Sequence, residues 1–79
     1  MLNVVFKKNK KRIRFYEVSP NKFWVMQTDK NGDVWLVETL YFDGKGQSQK
    51  QFILNHAKKY GLLEKHIDPL YPNQQHFKI

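Results

Sequence analysis

Residues 12–42 read RIRFYEVSPNKFWVMQTDKNGDVWLVETLYF. Three runs rich in β-branched and aromatic residues stand in this stretch: Arg12–Val18, Phe23–Asp29 and Asp33–Phe42. Such residues suit a pleated, half-buried surface. Between the first two lies SPNK, where Pro20 pre-sets φ for the second position of a turn. Between the last two lies Asn31-Gly32, a pair that tolerates φ > 0 at both positions and favours a two-residue hairpin. Strands joined this closely pair with their neighbours, so the sheet is expected to be antiparallel.

Outward from this stretch, Leu2–Phe6 supplies a short additional strand. On the other side, Ser48 suits a helix N-cap, and Gln51 three residues later completes a capping box. The helix is predicted over Gln49–Tyr60. Phe52, Ile53, His56, Ala57 and Tyr60 form its apolar stripe, and Gly61 is its left-handed terminator. Residues 66–79 carry two prolines and no period, and read as an extended tail whose Ile67, Leu70, Tyr71 and Phe77 pack on the body or fray from it. The fold expected is α+β: a three- to four-stranded antiparallel sheet packed on one helix. At 79 residues it is a single domain, with an ordered body over 1–65.

Side chains alternate along a strand, so the turns decide which residues share a face. A two-residue Asn31-Gly32 loop places Trp24, Met26, Trp35, Val37, Thr39 and Tyr41 together. The same counting through SPNK adds Ile13, Phe15 and Glu17 to that face. It leaves Arg14, Tyr16 and Val18 with Phe23, Val25, Gln27, Val34, Leu36, Glu38, Leu40 and Phe42. Both faces are then apolar, and one helix covers only one. The Trp24/Trp35 face is the one expected to be open for recognition, unless the tail folds over it.

Charge is concentrated. The chain carries +7, and six of its fourteen basic residues fall in KKNKKRIR, residues 7–14. The other eight are nearly balanced by seven acids. A local cluster of that kind is a footprint for phosphate, or else a solvated turn. Lys7–Lys11 reads as a basic turn, and Arg12 opens the next strand. The absence of cysteine removes disulfides and thiolate zinc sites, and fits a reducing compartment. The segment MLNVVFKKNKK has its apolar and basic parts in the reverse order of a secretory signal. No run approaches a membrane span. A cytoplasmic protein is expected, without membrane or cofactor.

The succession RIRFYEV, KFWVMQTDKNGDVWLVETLYF and QKQFILNHAKKY resembles, in topology, two DNA-binding families. These are the plant AP2 domain and the arm-binding domain of tyrosine integrases. Their sheets lie in the major groove and contact DNA through arginine and aromatic side chains. A local stretch, Gly44-Lys45-Gly46-Gln47-Ser48-Gln49-Lys50, is similar to the segment opening the last helix of double-stranded-RNA-binding domains. Lys50 matches that family's second lysine, but Gln49 stands in place of the first, and a strand replaces the family's opening helix. The basic cluster, the open aromatic face and these resemblances together point to a nucleic-acid-binding set of Lys7, Lys8, Lys10, Lys11, Arg12, Arg14, Trp24, Trp35, Tyr41, Lys45 and Lys50, with DNA ahead of RNA.

A second class stays open. The composition is similar to small phage or mobile-element proteins that bind and inhibit a host enzyme. The Trp24/Trp35 face would then meet an acidic partner or, as a variant, a second copy of the chain. Catalysis is not expected. His56, His66 and His76 lack metal-ligand spacing, Ser19 and Ser48 serve turn and cap, and GKG is too short for a nucleotide loop. Among the acids only Glu38 is placed to face inward.

Overall fold

The computed structural model describes residues 2–68. Four strands, β1 (Asn3–Lys8), β2 (Lys11–Ser19), β3 (Lys22–Thr28) and β4 (Val34–Tyr41), form one antiparallel sheet in the order β1-β2-β3-β4. A helix, α1 (Gln49–Ala57), follows and tightens into a 3-10 turn over Lys58–Tyr60. This is the α+β arrangement expected.

The turns explain themselves residue by residue. Asn9 takes φ 57 in the two-residue turn joining β1 and β2. Asn21 takes φ 63 after Pro20. Asparagine enters the left-handed region more readily than other side chains. At the third turn the structure corrects the expectation. Only Gly32 is left-handed, at φ 86. The Asp29 carboxylate accepts from the N–H groups of Asn31 (2.9 Å) and Asp33 (3.0 Å). Gly32 N–H donates to the Asp29 carbonyl at 3.1 Å, and Asp29 N–H to the Asp33 carbonyl at 3.0 Å. This is a three-residue loop, a turn closed by a glycine bulge, and not the two-residue hairpin.

Two further bulges set the faces. Glu17 lies opposite Phe23, but Ser19 lies opposite Lys22, so Val18 is an extra residue in β2. Val25 lies opposite Glu38, but Met26 lies opposite Leu36, so Val37 is extra in β4. Each extra residue reverses the faces of everything beyond it. Ile13 and Phe15 therefore join Phe23 and Val25 on the helix side, where they are buried. Arg14 and Tyr16 move to the side of Trp24. Trp35 pairs with Gln27 and leaves that side, while Val34 and Leu36 join it. Each of these assignments reverses the one made from the turns alone.

The core lies between the sheet and α1. Val4, Phe6, Ile13, Phe15, Phe23, Val25 and Leu40 meet Phe52, Ile53, Ala57 and Leu62. Rings do much of the filling: Phe6 meets Phe15 edge-on at 5.7 Å, and Phe52 touches both Phe42 (5.1 Å) and Phe23 (6.0 Å). At the helix start, the Ser48 hydroxyl accepts from Gln51 N–H at 3.1 Å. The Gln51 side chain donates instead to Asn55 at 2.9 Å, so only half of the expected capping box forms. Gly61 terminates the turn at φ 74, as anticipated. Beyond it, Glu64–His66 make a second 3-10 turn, and Ile67 pairs with Phe6. The chain thus stays on the body through Asp68, whose N–H donates to the Val5 carbonyl at 2.8 Å. The expected packing of Leu70, Tyr71 and Phe77, and a tail folded over the open face, fall outside the described residues.

Glu17 ties these parts together. One carboxylate oxygen accepts from Leu2 N–H (3.0 Å), the other from Asn21 N–H (3.2 Å) and the Gln49 side-chain amide (3.3 Å). The strand start, the second turn and the helix start all meet at this group, beside the Val18 bulge. Hydrogen bonds to a charged acceptor are the strong ones. Glu17→Ala is expected to lower stability by about 2–3 kcal/mol in urea melts, while Glu64→Ala, which breaks an exposed pair with Lys50, stays within about 0.5 kcal/mol.

Acidification should weaken the fold in two steps. His56 stacks edge-on against Phe52 at 4.7 Å. Burial, and then the Lys59 charge, hold its imidazole below the ordinary value of 6.5. The Glu38 carboxyl is held below its ordinary 4.5, first by Lys59 at 2.7 Å and then by the Tyr60 hydroxyl. In both cases the unfolded chain takes up the proton first, so stability present at neutral pH is lost as pH falls. The first loss begins just below 6.5 and the second below 4.5. Thermal melts of His56→Gln against pH should lose the first step and keep the second.

Candidate nucleic-acid interface

The β1–β2 hairpin carries the basic residues on both of its sides. Its pairs are Val5 with Arg14, Lys7 with Arg12, and Lys8 with Lys11. The turn is Asn9-Lys10, narrower than the Lys7–Lys11 turn expected. Two of these cross-strand pairs set like charges opposite each other, an arrangement that costs roughly 0.2–1 kcal/mol per pair.

The side of the sheet away from α1 collects Lys7, Arg12 and Arg14 with Tyr16 and Trp24. Tyr16 lies directly opposite Trp24, and Arg14 opposite Met26. Lys7 and Arg12 are exposed, Arg14 is half-buried, and both rings are partly exposed. Farther along, Lys22 lies opposite Tyr41, its ammonium 5.9 Å from the ring centre. Charged and aromatic groups thus alternate across β2, β3 and β4. Such a surface can pair its cations with phosphates and stack its rings on bases.

The remaining basic residues point elsewhere. Lys8 and Lys11 lie on the helix side, and Lys10 is at the turn. With Lys30, Lys59 and Tyr60 they border an open cleft of about 890 Å³ floored by Ile13 and Leu62. Lys8 Nζ donates to the Gly61 carbonyl at 3.1 Å. It so satisfies the carbonyl end of the helix, where a cation is favoured. Lys45 and Lys50 belong to the opposite end of the helix. Lys45 N–H donates to the Asp43 carboxylate at 2.9 Å, and the Lys50 ammonium pairs with Glu64 at 3.0 Å. A helix of this length separates them from the hairpin by about 18 Å.

The set expected from sequence is therefore divided. Lys7, Arg12, Arg14, Trp24 and Tyr41 share one side; Lys8, Lys10 and Lys11 edge a cleft on the other; Trp35 is off the Trp24 side; and Lys45 and Lys50 stand apart. Sequence counting missed Tyr16 and Lys22. For Trp35 the signal was present in DKNGD, where Asp at the first and Gly at the fourth position favour a wider turn with a glycine bulge; for Tyr16, placed by the Val18 bulge, there was no comparable signal.

Other chemistry is sparse. The described residues hold no cluster of three or more metal-ligating side chains. His66 Nδ1 accepts from Leu63 N–H at 2.9 Å, a local turn contact, and His76 lies outside the described residues. No helix among the described residues is long and apolar enough to cross a membrane. No protein-family model, curated protein or solved structure matches the chain.

The division of the two tryptophans is open to a direct check. Trp24 sits among cations, while Trp35 lies on the other side of the sheet, two residues from Asp33. In single-tryptophan variants (Trp35→Phe and Trp24→Phe), iodide should quench Trp24 more strongly than caesium does. For Trp35, near Asp33 but on the side that carries Lys30 and Lys59, the preference should be smaller. Equal iodide preference at both rings would contradict the assignment.

Proposed function

We propose that the chain is a small nucleic-acid-binding protein, DNA ahead of RNA, that binds through the side of the sheet away from α1. The observation that carries this reading is the sharing of one surface by Lys7, Arg12, Arg14, Tyr16 and Trp24. The bulge at Val18 brings it about, against the simple count from the turn. Lys7, Arg12 and Lys22 supply contacts to the backbone, which position without reading sequence. Arg14 and the rings of Tyr16, Trp24 and Tyr41 lie where bases would be met. A two-stranded ribbon such as β1–β2 matches the width of the DNA major groove, roughly 12 Å, whereas the RNA groove is too narrow to admit it. The resemblance to the AP2 and integrase arm-binding domains, read from the succession of strands and helix in the sequence, implies the same placement.

The two-sided hairpin sharpens the salt dependence. A duplex against one side of the sheet meets three or four cations, not all six of residues 7–14. The plot of log K against log[salt] should then slope about −3 to −4. Lys7→Ala with Arg12→Ala should flatten it by about 2, and Lys45→Ala with Lys50→Ala should leave it unchanged. Trp24→Ala should weaken single-stranded DNA by about 1–3 kcal/mol, and Trp35→Ala should not. Absence of binding by the unaltered protein at low salt would overturn the proposal and leave the protein-interaction reading.

A further inference from the structure

The two outer strands of the sheet differ. Along β1, Ile67 pairs with Phe6, and Asp68 N–H bonds to the Val5 carbonyl. Among the described residues nothing pairs with the outer side of β4. Yet β4 opens with four consecutive apolar residues, and all are exposed: Val34 59%, Trp35 45%, Leu36 51% and Val37 39%. Val34 and Leu36 point to one side of the sheet and Trp35 to the other, so the strand is apolar on both. Free edges are usually guarded by lysine, proline or inward charge. From Val34 to Tyr41 there is no lysine, arginine or proline. The single charge, Glu38, is held by Lys59 and Tyr60. Among the described residues the guards are the Val37 bulge and the inward Glu38, and neither lies within Val34–Leu36.

We infer that Val34–Val37 is an interface for a second copy of this chain, paired antiparallel edge to edge into a continuous eight-stranded sheet. Charge selects this partner and this edge. A chain of +7 resists meeting itself, but six of its basic residues sit on β1–β2, at the far side of the sheet. At about 4.8 Å per strand, pairing through β4 keeps the two basic hairpins roughly 30 Å apart, more than three Debye lengths at physiological salt. Pairing through β1 would bring them together. A two-fold axis also makes the contact self-complementary, so that apolar residues of one strand cover those of the other. Because Ile67 and Asp68 occupy the other edge, the assembly closes at two copies and does not extend. The contact is small by the standard of stable interfaces, so a micromolar dissociation constant is expected. This inference stands apart from the nucleic-acid reading.

Sedimentation equilibrium of the full chain, over roughly 5–500 µM, tests it. The mass should rise from the monomer's 9.6 kDa toward twice that value. Val34→Lys and Leu36→Lys, both at exposed positions, should keep the far-UV spectrum and melting temperature and weaken association at least about tenfold. The absence of native cysteine permits a second readout. Leu36→Cys should oxidise to a covalent dimer, whereas Lys10→Cys, at the far corner, should not. A monomer throughout the range would overturn the inference. So would association that survives the lysine variants, or cross-linking as ready at Lys10→Cys as at Leu36→Cys.

Discussion

One extra residue, Val18, decides what this protein can present to a partner. With Val18 bulged out, Ile13 and Phe15 turn inward, and Arg12, Arg14 and Tyr16 turn outward beside Trp24. Without it the arginines would point into the helix, and two apolar side chains would face water. The burial of Phe15 and Ile13 alone is worth several kcal/mol, roughly 1.5–3 for each side chain. The Glu17 carboxylate next to the bulge then holds the strand start, the second turn and the helix start to it. Core packing and the basic-aromatic surface are two consequences of the same local irregularity.

The charge distribution follows from that geometry. Alternation along β1 and β2 splits a compact basic run between two sides of a sheet, so that no one flat ligand meets all of it. The lysines on the helix side border the cleft beside Leu62, and Lys8 bonds to the Gly61 carbonyl just past the 3-10 turn that follows α1. The cations on the open side have rings for neighbours. Acidic residues gather instead around the third turn and β4, at Asp29, Asp33, Glu38 and Asp43. The sheet is therefore basic at one edge and, at the other, nearly neutral around an apolar strip, because Lys30, Lys45 and Lys59 stand among these acids.

Much of the fold was legible. The three main strands, the second turn, the Ser48 cap, the buried stripe of Phe52, Ile53 and Ala57, and the Gly61 terminator stand where residue chemistry puts them. The faces were less legible, because alternation carries an error of one residue through a whole strand. Bulges have no strong local signature. Val18 and Val37 are ordinary strand residues, and only the burial of their neighbours shows that the count has slipped. The Asp29 loop is readable in principle from the spacing of Asp29 and Gly32, whereas the Asn31-Gly32 pair alone favours a two-residue turn. The candidate site suffered most, since Trp35 and Trp24 part company and Tyr16 comes in.

One surface carries the proposed binding, the side of the sheet bearing Lys7, Arg12, Arg14, Tyr16 and Trp24. Amide chemical shifts followed by NMR during titration with a short DNA duplex test it most directly. The expected result is a set of perturbations centred on β1–β2 and on Trp24 of β3, with the indole N–H of Trp24 moving and that of Trp35 still. Perturbations centred on residues 44–50, or movement of the Trp35 indole alone, would contradict it.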